Sequence, residues 1–167
     1  MEPVQVGPSS SQRCLSGRTK RAPLAVAHTM QTPYAILYRS LASRPMGDLG
    51  LRALAVRSAQ RNARAGITGL LLHGTHSHLP GVPGAFVQWL EGPREEVEAL
   101  LTRIEADDRH RDLEVLASSE RLAGQAGRLF PAWDLGVESM GELPATLEGF
   151  LGYVRRQEQS GAWSLAA

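Results

Sequence analysis

Through the middle of the chain the apolar positions switch between a strand period and a helix period, and the switches lay out the elements. Tyr34 to Ser40 is a short β-prone run, closed by Ser43, Arg44, Pro45 and Gly47. A helix is predicted from there to about Arg64, with Asp48 as its N-cap. Leu51, Leu54, Ala55 and Ser58 fall at i, i+3, i+4 and i+7 on one face of it, and Gly66 ends it. Ile67 to Leu72 and Ala85 to Leu90 predict two more strands, joined by a long loop from His73 to Gly84. Pro93 is expected at the first position of a second helix, whose stripe is Val97, Leu100, Leu101 and Ile104. Leu113 to Ala117 predicts a fourth strand, a loop with Gly124 and Gly127 follows, and Trp133 to Val137 predicts a fifth. Leu147, Phe150, Leu151 and Val154 space a third helix. The order β-α-β-β-α-β-β-α predicts an α+β fold, a ferredoxin-like mixed sheet with two helices on one face plus a C-terminal helix.

Outside this pattern, residues 1–32 carry Pro3, Pro8, Ser9, Ser10, Ser11, Gly17 and Pro23 beside the basic Arg18, Lys20 and Arg21, which reads as a flexible tail. Residues 33–138 form the predicted domain, 139–159 a helical extension and 160–167 a second tail. Ala22 to Ala27 is too short an apolar run for a signal-peptide core, and Met30 offers an alternative start to Met1. Eighteen basic residues against seventeen acidic leave a net charge of +1, so no broad field is expected to attract nucleic acid or an anionic membrane. The single Cys14 excludes an internal disulfide, and no apolar run approaches the ~18 residues of a membrane helix. A cytoplasmic protein is the expectation.

The informative departure from this pattern is polar. Tyr38 follows Ile36 at period two, and Gln88 stands two positions from both Phe86 and Leu90, so both point inward with apolar neighbours. Asn62 follows Ser58 by four and shares its side of the first helix. An inward amide with unmade hydrogen bonds costs about 1–3 kcal/mol per group. Two explanations stand: a mutually satisfied Tyr–Gln pair in the core, or a polar planar ligand held between the helices. The spacing shows no nucleophile with a base, no paired catalytic carboxylates and no phosphate loop. Gly66-Ile67-Thr68-Gly69 lacks the strand-then-helix context of a dinucleotide fingerprint.

Five segments in order are Tyr38-Arg39-Ser40-Leu41-Ala42, Arg61 through Gly69, Gln88-Trp89-Leu90-Glu91-Gly92, Asp108-Arg109-His110 and Phe130-Pro131-Ala132-Trp133. Together they resemble the signature segments of BLUF domains, sensors of blue light using FAD. The likeness spans about Pro33 to Val137 and is similar in particular to the BLUF domain of purple-bacterial transcriptional antirepressors. It implies a non-covalent flavin between the first two helices: FAD, with FMN or riboflavin as the lesser forms. It implies that Tyr38 gives an electron and a proton to the photoexcited ring. Gln88 then bridges Tyr38 and the flavin, and its amide newly donates to the C4 carbonyl, by rotation or tautomerisation. A stronger hydrogen bond to that carbonyl lowers the transition energy and gives a reversible red shift. By the same likeness Asn62 holds the polar edge of the ring, Ser58 and Arg61 face it, and Asp107, Arg109 and His110, expected to close the second helix, meet its ribityl or phosphate part. Trp133 and Leu135 would relay the signal to the last strand.

Arg61 stands where close relatives often have His or Asn, and Leu135 where many have Met; Leu is similar in volume but lacks the polarizable sulfur, which bears on output through that strand and not on the photochemistry. The loop from His73 to Gly84 is longer than usual and could re-aim Gln88 by shifting the third strand. It brings together His73, His76 and His78, read as solvated loop histidines because no Cys or carboxylate completes a metal site. No enzymatic activity is expected. The leading function is a short, homo-oligomeric photoreceptor signalling to a protein effector in trans. The alternative is a light-inert regulatory module that kept the fold and lost flavin or photocycling. A flavin oxidoreductase would need a substrate face and a nicotinamide site, and neither is evident.

Overall fold

A computed structural model of the chain describes residues 33–76, 78–79, 81–119 and 127–161. The predicted N-terminal tail, the loop around Gly124, Ser77 and Pro80 of the hairpin loop, and residues 162–167 lie outside the described residues. The elements are β1 (Tyr34–Ala42), α1 (Asp48–Arg64), β2 (Thr68–Thr75), β3 (Ala85–Gly92), α2 (Arg94–Glu105), β4 (His110–Ser119), β5 (Trp133–Ser139), a single 3₁₀ turn at Met140–Glu142, and α3 (Leu147–Gln159). The sheet order is β4-β1-β3-β2-β5, antiparallel except for the β2–β5 pair. This is the expected α+β mixed sheet with three helices.

Period two decides what each face of the sheet buries. Ile36, Tyr38, Phe86, Leu90, Leu71 and Trp133 pack with Leu54 of α1 and Val97 and Leu100 of α2. Ala35, Leu37, Leu70, Leu72, Val87 and Trp89 turn the other way and pack with Phe150, Tyr153 and Val154 of α3. Trp89 stacks on Phe150 with ring centroids 5.7 Å apart, and Phe130 meets Phe150 edge-on at 6.4 Å. The apolar stripe of α3 covers the sheet.

The starts of α1 and α2 both differ from the sequence reading. Asp48 is the first helical residue of α1, with Gly47 at the cap, and Pro93 is the cap of α2 rather than its first residue. Neither cap uses a side chain; acidic residues in both first turns meet the positive helix end instead. Gly69 is required by close approach: a Cβ there would stand 2.0 Å from the Trp89 carbonyl oxygen, and its φ is +146°. The Gly66–Gly69 segment is thus a helix exit and a strand contact.

Candidate functional site

Two neighbouring strands bring the central pair together, and two more extend its row. Tyr38 of β1 lies directly opposite Gln88 of β3, which lies opposite Leu71 of β2, which in turn pairs with Leu135 of β5. One cross-sheet row therefore runs Tyr38, Gln88, Leu71, Leu135 on the side of α1 and α2. The Tyr38 hydroxyl donates to Gln88 Oε1 at 2.5 Å, both residues being buried. Burial pushes the Tyr38 phenol well above its ordinary pKa; the charge of Asp107 adds to this and Arg109 opposes it. The phenol therefore keeps its proton across the physiological range. The Gln88 amide nitrogen makes no hydrogen bond to another described residue.

The long hairpin does not disturb this register. β2 continues to Thr75 and pairs with β3 as far as Gly74 opposite Ala85. His73 is accordingly a strand residue, 1% exposed, with its ring 4.7 Å from that of Phe86. The expectation of three solvated loop histidines fails for His73, because inward alternation along β2 extends two residues further than its apolar run. No metal-binding group of three ligands occurs among the described residues.

The row below the pair holds Ser40, Phe86 and His73. Ser40 Oγ lies 2.8 Å from His110 Nδ1, the His110 ring sits 4.6 Å from Phe86 and 6.5 Å edge-on from Tyr38. His110 opens β4 rather than closing α2, which ends at Glu105. Burial lowers the pKa of both His110 and His73. Asp107, just past α2, accepts from the Arg109 backbone at 3.0 Å and from Arg109 Nε at 2.8 Å. Arg109 Nη2 completes a bidentate pair with it. That pairing holds the Asp107 carboxyl at about 2. Ser40 and Phe86 were not singled out from sequence; their signal was the same period two that marked Tyr38 and Gln88.

The remaining candidates divide. Asn62 is buried on the sheet side of α1, and its amide makes no hydrogen bond to another described residue. Ser58 is half-buried on the same side, while Arg61 is exposed. No hydrogen bond links Ser58 or Asn62 to the Tyr38–Gln88 pair. Trp133 is buried in the helix-side cluster with its indole N–H lacking a hydrogen-bond partner, and Leu135 is half-buried beside Leu71. α1 lies over β5 and α2 over β1, β3 and β4, so the division between the helices falls at β2, where Leu71 stands beside Gln88 of β3. A cavity of about 360 Å³ opens elsewhere, on the α3 side, with Arg39, Leu41, Val87 and Leu143 among its walls and neither Tyr38 nor Gln88. Ser40, Phe86 and Asp112 also border it, so the cavity adjoins the row below the pair without reaching the pair itself.

Residues 34–136 match the family described as "Sensors of blue-light using FAD" (BLUF). The chain is similar to the photoactivated adenylate cyclase subunit beta of Euglena gracilis, 39% identical over 118 residues that make up 70% of this chain and 12% of the relative. The corresponding Euglena longa subunit is 38% identical over 60% of this chain and 10% of its own length. This chain thus spans about an eighth or less of these curated relatives. Among solved structures, "BlrP1 BLUF" superposes with a TM-score of 0.52 at 30% identity, over 75% of each chain. "BlrB - a BLUF protein, dark state structure" gives 0.51 at 28% identity, over 78% of this chain and 92% of that one. The chain belongs to the BLUF family of flavin-binding blue-light sensors.

The residues present fit a flavin. On the helix side of the sheet the amides of Gln88 and Asn62 have unused donor capacity, and the buried indole N–H of Trp133 lacks an acceptor. A flavin ring edge offers carbonyl and imide groups of matching type.

Proposed function

We propose that this protein is a blue-light photoreceptor that binds FAD non-covalently on the α1–α2 side of its sheet and is switched by Tyr38 and Gln88. The observation that carries this is the buried 2.5 Å hydrogen bond from the phenol to Gln88 Oε1, with the amide nitrogen of the same residue left without a described partner. When bound, the flavin supplies visible absorption and an excited ring that accepts an electron. Tyr38 would be the donor: its phenol is oxidisable, and its proton could move along the bond it already makes to Gln88. Gln88 would exchange donor and acceptor at one place, since an amide carries both, and a new donation from it to a ring carbonyl would lower the transition energy. No covalent bond forms, so the dark arrangement returns thermally.

Asn62 holds the polar ring edge, with Ser58 beside it on α1. Asp107, Arg109 and His110 meet the ribityl or phosphate part, and the exposed Arg61 contributes charge at the rim. The altered bonding of Gln88 passes along its own row to Leu135, with Trp133 one row away on β5. Residues 33–138 form the sensing unit and 139–159 the output segment. The module has no enzymatic activity of its own and signals in the cytoplasm to an effector protein in trans; neither nucleic acid nor membrane is a partner. It self-associates, and the exposed Leu49 and Val56, seven apart on α1, supply apolar surface for this.

The decisive measurement is the visible spectrum of purified protein before and after blue illumination, for wild type, Tyr38→Phe and Gln88→Leu. A reversible red shift is expected in wild type and in neither variant. Colourless protein, or yellow protein unmoved by light, would establish the light-inert module instead.

A further inference from the structure

β4 does not follow β1 evenly. Arg39 pairs with Glu114 and Leu41 with Arg111, so Asp112 and Leu113 together stand opposite the single Ser40. Asp112 takes the extra-residue conformation with φ +53°, the only non-glycine positive φ among the described residues. The bulge changes which side chains share a face. Without it His110 and Leu113, three apart, would point to opposite sides; with it His110 stacks on Phe86 while Leu113 joins the same helix-side cluster. His110 is thereby turned towards the Tyr38 row, where Ser40 meets its Nδ1.

The direction of that 2.8 Å bond follows from counting partners. Ser40 is 2% exposed, and His110 Nδ1 is the sole described partner of its hydroxyl. If Nδ1 carried the proton, the serine hydroxyl hydrogen would be buried without an acceptor, at about 1–3 kcal/mol. If the serine donates to a bare Nδ1, both groups are satisfied by one bond. Burial also keeps the imidazole neutral, so its one remaining proton lies on Nε2. Nε2 makes no hydrogen bond to another described residue, and it is not among the buried polar atoms.

We propose that Ser40 is a positioning residue that holds His110 in its Nε2–H tautomer, so that the ring presents a hydrogen-bond donor to an acceptor oxygen of the ribityl or phosphate part of the bound flavin. This assignment rests on the photoreceptor reading, and it goes further by giving His110 a protonation state, a source for that state and a ligand atom type. The β4 bulge aims the ring, and Ser40 sets which nitrogen faces the ligand.

The test is long-range ¹H–¹⁵N NMR of the full chain loaded with FAD, at neutral pH, with His110 assigned from its own substitution. Wild type is expected to show His110 protonated at Nε2 and bare at Nδ1. In Ser40→Ala the two tautomers mix, and FAD retained through dialysis falls about threefold to tenfold, the range of one hydrogen bond to a ligand. Ser40→Thr, which keeps the hydroxyl, restores both. Ser40→Ala in a His110→Ala background lowers retention no further. A wild-type His110 protonated at Nδ1 overturns the proposal, and that measurement needs no variant to fold. Equal FAD retention in wild type and Ser40→Ala overturns the ligand contact. A wild type with the expected tautomer and FAD but no light-induced shift supports this assignment while removing the photoreceptor reading.

Discussion

The two faces of the sheet bury residues of similar size under opposite rules. Towards α3 the polar side chain Glu91 is buried, and it is fully engaged: it accepts from the backbone of Leu129 at 2.8 Å and Phe130 at 2.6 Å, and from Thr68 Oγ1 at 3.1 Å. Around it lie the stacked Trp89 and Phe150, and α3 is further tied down by the Tyr153 hydroxyl donating to Glu138. Towards α1 and α2, Gln88 and Asn62 are buried with amide capacity unspent. A satisfied buried polar group reads as structure, whereas an unsatisfied one reads as a place kept for a guest. Among the described residues the α3 face leaves the Trp89 indole N–H without a partner, whereas the other face leaves the Trp133 indole N–H, His73 Nδ1 and the amide donors of Gln88 and Asn62, so the two differ in degree.

Substitutions should separate the faces. Phe150→Ala removes a fully buried aromatic from the α3 side, and a loss of about 3–5 kcal/mol is expected by denaturant unfolding of the apoprotein. A loss below about 1 kcal/mol would mean that α3 does not complete the core. Glu91→Ala strands two backbone N–H groups, and about 2–4 kcal/mol should go, with the affinity of the refolded remainder for FAD little changed. Asn62→Ala reverses the pattern. Apoprotein stability should move by less than about 1 kcal/mol, since no described hydrogen bond is lost, while FAD retention drops several-fold. Were Asn62→Ala to unfold the apoprotein and spare retention, the contrast between the faces would be gone.

Acid should also act unevenly. Folded His110 and His73 have lowered pKa values, so the unfolded chain binds their protons first. Stability is then complete above about pH 6.5 and declines as pH falls below it towards those lower values, by up to about 1.4 kcal/mol per group and unit. Asp107, held at about 2 against an ordinary 3.8, contributes stability that is present above pH 4 and lost as pH falls through 2. Chemical unfolding of the apoprotein from pH 8 to 2 checks both windows. His110→Phe and His73→Phe should each flatten the first and leave the second, the smallest effect expected here.

Much of this was written in the chain. Period-two spacing put Tyr38 and Gln88 on one side of the sheet, and i, i+4 spacing put Asn62 with Ser58 on one side of α1, because side-chain direction follows from local backbone geometry. Other features were not local. Spacing alone leaves His73 in a loop, since its strand extends only because β3 is there to pair with it as far as Ala85. Spacing alone leaves His110 at a helix end, because a bulge is defined by the partner strand and leaves no mark on the spacing.

What the residues settled by themselves was the set of groups turned inward and the order of the elements that carry them, as both depend on near neighbours. Which of those groups find partners depends on the register between strands distant in sequence. Only the assembled sheet could place Ser40 against His110, 70 residues away, or fill one face with α3 and leave amides unspent on the other. Hydrogen-bond satisfaction is a property of the whole arrangement, which local spacing does not reveal.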